Sequence, residues 1–217
     1  MDWFARQLLD WFDAHGRHDL PWQQDPNAYR VWVSEIMLQQ TQVATVIPYY
    51  LRFMTRFPTV ADLASAELDE VLHHWTGLGY YARGRNLHKA ARMVMAQHEG
   101  QLPTEVDTLQ ELPGIGRSTA GAIAAISAGV AAPILDGNVK RVLARFHGVA
   151  GYPGTSAVAK LLWQHAHEHT PKTRVADYTQ GIMDLGATVC ARKPDCERCP
   201  LVSRCVGHAT DSATNYP

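Results

Sequence analysis

Apolar positions recur at three- and four-residue spacing along most of this chain. Phe4, Leu8, Trp11 and Phe12 share one face of a first helix, and Val139, Val142, Leu143 and Phe146 do the same in a later one. The strict alternation that marks strands is almost absent. Two helix starts carry a capping-box signature, Thr59 with Asp62 and Thr104 with Asp107, in which a hydroxyl and a carboxylate satisfy amides that a first helical turn leaves open. Pro48, Pro103, Pro113, Pro133 and Pro153 punctuate the chain between or near the ends of these segments. The pattern predicts an all-α protein of roughly ten short helices.

Length changes this picture little: 217 residues suffice for one large domain or two helical lobes with real cores. The formal net charge of -1 gives no global positive field. Locally, Arg83, Arg85, Lys89 and Arg92 form an acid-free basic run, and Lys140, Arg141 and Arg145 form another. Each is either a nucleic-acid contact or a solvated helix face. Met1 runs straight into Asp2, and no apolar stretch is long enough for a leader or a membrane span, so a cytoplasmic protein with no membrane contact is expected.

Chemistry gathers in four places. The first is Leu112-Pro113-Gly114-Ile115-Gly116-Arg117-Ser118-Thr119, set between a helix lined by Val106, Leu109 and Leu112 and one lined by Ala122, Ile123 and Ile126. Gly114 and Gly116 can take backbone angles barred to other residues and let a phosphate approach the chain, and the amides that open the next helix would face it. This is the pattern of a helix-hairpin-helix grip on the DNA backbone, or else an ordinary helix–helix turn.

The second and third places are carboxylates. Glu35 interrupts the apolar helix Val31-Trp32-Val33-Ser34-Glu35-Ile36-Met37-Leu38, with Val31, Trp32, Leu38 and Gln39 on its face. Such surroundings would raise its pKa and keep it protonated as a general acid requires, unless it is paired with a buried arginine. Asp136 precedes Gly137-Asn138-Val139-Lys140, where the sequence alone favours a helix cap. Capping is compatible with stabilising a developing positive charge. The fourth is Cys190, Cys196, Cys199 and Cys205, spaced C-x5-C-x2-C-x5-C. Four thiolates so placed hold zinc or a [4Fe–4S] cluster, and the spacing does not decide between them. Arg192, Lys193, Arg198 and Arg204 lie among them and could meet phosphates. His165 and His169, at i,i+4 spacing, are either a metal pair or a solvated face.

Leu20-Pro21-Trp22, Ser34 to Gln42, Trp75-Thr76-Gly77-Leu78-Gly79-Tyr80-Tyr81, the hairpin, Leu135-Asp136-Gly137-Asn138, Met183-Asp184-Leu185-Gly186-Ala187 and the cysteines together resemble the endonuclease III superfamily, and within it the MutY-type adenine DNA glycosylases. The resemblance implies an all-α fold of two lobes, a cluster-bearing lobe from residues 1–25 and 131–217 and a hairpin lobe from 26–130, with Glu35 and Asp136 facing each other across the cleft between them. It implies a monofunctional glycosylase of base excision repair, monomeric, acting on duplex DNA that carries an adenine mispaired with 8-oxoguanine or guanine.

In that scheme Glu35 protonates the adenine, Asp136 stabilises the sugar cation, and Asn138 and Ser118 orient groups or water. Trp22, Leu38, Gln180 and Asp184 line the base pocket. Gln40 and Tyr80 wedge the DNA stack, while Gly114, Gly116, Ser118, Thr119 and Lys140 hold its backbone. The four cysteines hold a [4Fe–4S] cluster, and the carbonyls of Gln110, Leu112 and Ile115 hold a monovalent cation. Ser118 stands where strand-cleaving relatives carry a lysine, and a hydroxyl cannot form a Schiff base.

Three features depart from the family pattern. The first cysteine spacing is one residue short, Gln23 replaces a common arginine, and the chain stops at Pro217, without the further domain that recognises 8-oxoguanine. The alternatives are an endonuclease III-like or thymine mismatch glycosylase, and a zinc-stabilised DNA-binding module without chemistry.

Overall fold

The computed structural model describes residues 1–216 and is helical throughout; Pro217, the last residue of the expected cluster-bearing lobe, lies outside the described residues. The α-helices are α1 (Trp3–His15), α2 (Ala28–Leu38), α3 (Val43–Arg56), α4 (Val60–Ser65), α5 (Leu68–Trp75), α6 (Ala82–Gln97), α7 (Val106–Gln110), α8 (Arg117–Ala128), α9 (Gly137–His147), α10 (Ser156–His169), α11 (Val175–Thr188) and α12 (Val206–Ala209). Among the described residues there is no strand, and no helix is long and apolar enough to cross a membrane. The chain forms two compact units. His18–Ala128 holds α2 to α8, and Met1–Arg17 with the described residues from Gly129 onward holds α1 and α9 to α12.

In the first of these units α2 packs on α8, and α6 on α4 and α5. Trp32, Ile36, Met37, Tyr50, Phe53, Phe57, Leu63, Trp75 and Leu87 are its largest fully buried side chains. Burying each large apolar side chain stabilises the fold by about 1.5–3 kcal/mol. Tyr29 donates its hydroxyl to the Phe57 carbonyl at 2.8 Å, which closes the end of α3. The Thr59–Asp62 box forms as expected, each side chain accepting from the other residue's amide at 3.1–3.2 Å. The Thr104–Asp107 box does not. Helix α7 begins at Val106 with Glu105 as its N-cap, so Asp107 falls one position short of the site a box needs. Pro48 sits inside α3 rather than near an end; it is exposed, and the helix continues past its missing N–H.

In the other unit α11 lies against both α1 and α9. Two glycines let it approach. A Cβ on Gly181 would stand 3.1 Å from Phe12 of α1, and one on Gly186 would stand 2.6 Å from the Asn138 Cβ of α9. The α1 face read from the sequence is buried at Phe4, Leu8, Trp11 and Phe12.

A histidine cluster joins the start of α1 to α9 and α10. His147 Nε2 lies 2.8 Å from His169 Nε2, and His169 Nδ1 lies 2.5 Å from Asp2. The His165 ring stacks on His147 with centroids 3.6 Å apart. Both ring nitrogens of His169 thus have partners within the protein. Burial first, then His165 and His169, hold His147 down at about 4 from its usual 6.5, against the pull of Glu168 and Asp2. An unfolded chain takes up that proton more readily than the native one. The native state therefore has its full stability above pH 6.5 and loses it as pH falls toward 4. The urea midpoint is expected to drop between pH 7 and pH 5, and to drop less in His147→Asn; equal drops would remove His147 as the cause.

Candidate active site

Within His18–Ala128, α2 supplies the first carboxylate. Its N-cap Asn27 accepts from the Arg30 amide at 3.0 Å, and Val31, Trp32, Val33, Ser34, Ile36 and Met37 are all buried. Glu35 is the half-buried exception among them, as is Leu38 at the helix end. Trp22 is 5 % exposed and meets the Tyr50 ring edge-on at 5.4 Å. The turn that carries Trp22 is capped by Gln23, whose side chain accepts from the Leu20 amide at 3.0 Å. The departure at Gln23 thus has a local structural use.

The two expected wedge residues follow the ends of α2 and α5. Gln40 (φ 57°) and Tyr80 (φ 50°) both occupy the left-handed backbone region, and both are exposed, Tyr80 by 62 %. Such a conformation costs a non-glycine residue about 1–3 kcal/mol and persists only where the surroundings impose it. Arg83 imposes it. Nη1 reaches the carbonyls of Ile36 (3.0 Å), Met37 (2.8 Å) and Gln39 (2.5 Å), while Nη2 reaches Thr41 Oγ1 (3.1 Å) and the carbonyls of Leu78 and Gly79 (both 3.3 Å). Its guanidinium carbon also lies 5.6 Å from the Trp75 ring and 5.5 Å from that of Tyr80. The Trp75 indole donates to the Gly79 carbonyl at 3.1 Å, and a Cβ on Gly77 would strike the Tyr49 hydroxyl. Arg83 therefore leaves the basic run, in which Arg85, Lys89 and Arg92 remain exposed on α6. Nothing but its place three residues after Tyr80 hints at this in the sequence.

The hairpin joins α7 to α8 through a turn that closes on an Ile115 amide to Leu112 carbonyl bond of 3.1 Å. Gly114 takes φ +86° and lies so close to Asn86 that a Cβ would meet it at 3.0 Å. Gly116 departs from the expectation, since its φ is not left-handed; what it offers is space, with nothing within 4 Å of a Cβ placed there. Ser118 and Thr119 stand half-buried in the first turn of α8, and Gln39 Nε2 lies 3.4 Å from Thr119 Oγ1. The positive end of the α8 dipole opens at this turn, the arrangement that suits an anion.

In the other unit Asp136 caps α9, its carboxylate accepting from the Val139 amide at 2.9 Å. The fixed carboxylate is half-buried beside Asn138, whose Oδ1 accepts from Arg141 at 2.8 Å. Arg141 also donates to the carbonyls of Gly186 (2.6 Å) and Cys190 (2.7 Å). Lys140 is half-buried on the same helix. Asp184 is 1 % exposed; it accepts from the Arg17 amide (2.8 Å), from Arg17 Nε (3.0 Å) and Nη2 (2.5 Å), and from Gln180 Nε2 (2.9 Å). That network occupies the carboxylate and orients the Gln180 amide.

All four cysteines line one pocket together with Arg145. Among the described residues no three or more His, Cys, Asp or Glu side chains stand in ligating geometry. The surroundings nonetheless fit a thiolate-held metal group. Arg145 is 3 % exposed, donates to the carbonyls of Ala191 (2.7 Å) and Cys190 (3.4 Å), and reaches the Cys190 sulfur at 3.5 Å; its Nε is buried without a partner among the described residues. A buried cation calls for negative charge beside it. Free thiols do not supply that charge, since burial pushes Cys199 up to about 12 and raises Cys196 and Cys205 as well. Metal-bound thiolates would. Two of the three cations in the second basic run, Arg141 and Arg145, are thus committed to the cysteine loop. Arg204 lies over the Trp3 ring at 4.4 Å, and Arg192 and Lys193 are exposed.

Known proteins resemble this chain over most of its length. The chain is 43% identical over 215 residues to the adenine DNA glycosylase of Buchnera aphidicola subsp. Schizaphis graminum, covering 99% of this chain and 62% of that protein. It is 49% identical over 212 residues to the human adenine DNA glycosylase, covering 93% of this chain and 39% of that one. The chain therefore spans less than two thirds of the length of these relatives. A solved thermostable thymine-DNA glycosylase superposes with a TM-score of 0.86 at 28% identity, covering 95% of each chain. The HhH-GPD superfamily of base excision DNA repair proteins matches residues 33–168, a span that takes in Glu35, the hairpin and Asp136, and the chain belongs to that superfamily.

Proposed function

We propose that this chain hydrolyses the N-glycosidic bond of adenine mispaired with 8-oxoguanine or guanine in duplex DNA, and does so without strand cleavage. The observation that carries the reading is a half-buried carboxylate, Glu35, on a helix where Val31, Trp32, Ile36 and Met37 are buried, in a chain that also fixes a second carboxylate, Asp136, at a helix N-terminus. Relatives named adenine DNA glycosylases, 43% and 49% identical, favour adenine over the thymine named for the structural neighbour at 28%.

In this scheme the base leaves the stack before reaction, because its glycosidic bond is out of reach inside a duplex. Gln40 and Tyr80 take up the vacated space, and the hairpin holds the strand at Gly114, Gly116, Ser118 and Thr119, with Lys140 as a further phosphate contact. Trp22, Leu38 and Gln180 recognise the base, with Asp184 acting through Gln180. Glu35 donates a proton to the adenine ring as the C1′–N9 bond breaks. The Asp136 carboxylate stabilises the cationic sugar until water adds to C1′ and loses its proton, the logic of two-carboxylate glycoside hydrolysis. Asn138 and Ser118 orient these groups or the water. Cys190, Cys196, Cys199 and Cys205 would hold a [4Fe–4S] cluster, a structural charge centre for the loop that Arg141 and Arg145 brace.

Three outcomes are expected. Glu35→Gln should slow single-turnover adenine release by about 10²–10⁴ while leaving duplex affinity within a few-fold, and retained turnover would take the acid role from Glu35. Ser118→Lys should gain strand cleavage and a borohydride-trapped adduct; with no adduct, the position is not the lyase site. Purified protein should contain iron and absorb in the visible range, and Cys199→Ser should lose both; a colourless zinc protein would contradict the cluster.

A further inference from the structure

We propose that Arg83 is a positioning residue that holds Gln40 and Tyr80 as one preset wedge, so that the two side chains enter DNA together. The inference rests on the glycosylase reading for its substrate, but its geometry lies wholly within residues 36–83. Gln40 and Tyr80 belong to loops far apart in sequence, and each pairs an exposed side chain with a left-handed backbone that its residue type disfavours. One guanidinium serves both loops. It reaches Ile36, Met37, Gln39 and Thr41 on one side and Leu78 and Gly79 on the other, six oxygens shared among the four protons of its two amino groups.

Chemistry explains why arginine is needed. The end of α2 leaves its last carbonyls without helical partners, and a cation is favoured there. Only a planar fork also spans to a second strand of carbonyls; a lysine ammonium reaches one cluster and lacks the spread. The guanidinium carbon of Arg83 lies 5.6 Å from the Trp75 ring, and Nε is buried with no partner among the described residues. The half-buried side chain thus spends its hydrogen bonds on the two loops. A preset wedge avoids the loss of freedom that two mobile loops would suffer on entering the duplex.

A mutant cycle tests this with two readouts. The first is single-turnover adenine release from a duplex with adenine opposite guanine. The second is the fluorescence rise of 2-aminopurine at the target position on protein binding, which reports unstacking and needs no chemistry. Arg83→Lys and Arg83→Gln should each lower adenine release by about 10²-fold and suppress the fluorescence rise. The same changes in a Gln40→Ala/Tyr80→Ala background should cost less than about threefold in release, because the residue acts through the pair. Full, additive losses in that background would overturn the proposal, as would an unchanged fluorescence rise in both Arg83 variants. Thermal unfolding checks that the variants are folded, and Arg83→Lys serves if Arg83→Gln is not. If the unsubstituted protein releases no adenine, the glycosylase reading fails on its own, and the fluorescence cycle still decides the role of Arg83.

Discussion

Carbonyl groups at the end of a helix have to be satisfied by something other than the helix. Around α2 that demand is met by Arg83, and the consequences spread through the unit. The same bonds that satisfy Ile36, Met37 and Gln39 fix the turn after Glu35, and those to Leu78 and Gly79 hold the loop from which Tyr80 projects. Burial lowers the pKa of the Arg83 guanidinium, yet an arginine remains charged, so the cation is permanent. Strain at Gln40 and Tyr80 is sustained because this anchor and the Trp75 indole bond over-determine the backbone.

Half-buried and buried arginines do comparable work in the other unit. Arg17 joins the end of α1 to α11 through Asp184, Arg141 ties α9 to the end of α11 and to Cys190, and Arg145 braces the start of the cysteine loop. Of these, only Arg17–Asp184 is an ion pair, and removing Arg17 would leave the buried Asp184 carboxylate uncompensated, at a cost of about 3–5 kcal/mol. The close approach that these bonds require depends on Gly186, where any side chain would meet Asn138. Asp136 and Asn138 open the helix that Arg141 clamps, so the second carboxylate inherits its position from the same contacts.

The helical class, the α1 face, the Thr59–Asp62 box, the hairpin with Gly114 and the capping role of Asp136 were all legible in the sequence, because each is a local pattern with its own period or spacing. What was hidden depends on partners distant along the chain. Arg83 reads as one member of a basic run because its charge pattern matches that of Arg85 and Lys89, and only folding shows that its partners lie at residues 36–41 and 78–79. Arg141 and Arg145 were concealed in the same way. The tie between the Asp184 carboxylate and Arg17, far off in sequence, was equally hidden. Thr104 misled because a capping box is a two-residue pattern that a one-residue shift in helix start abolishes. Gly116 offers clearance rather than an unusual φ, and composition cannot separate the two.

The proposed function is that a helical chain with these two carboxylates, and with Ser118 at the expected lyase position, removes adenine and stops there. Incubation with duplexes carrying adenine opposite 8-oxoguanine, adenine opposite guanine and thymine opposite guanine tests it directly, scoring free base before alkali and strand breaks after it. The account predicts free adenine from the first two duplexes, intact strands until alkali is added, and no thymine from the third. Release of thymine with adenine untouched, or strand breaks without alkali, would contradict it.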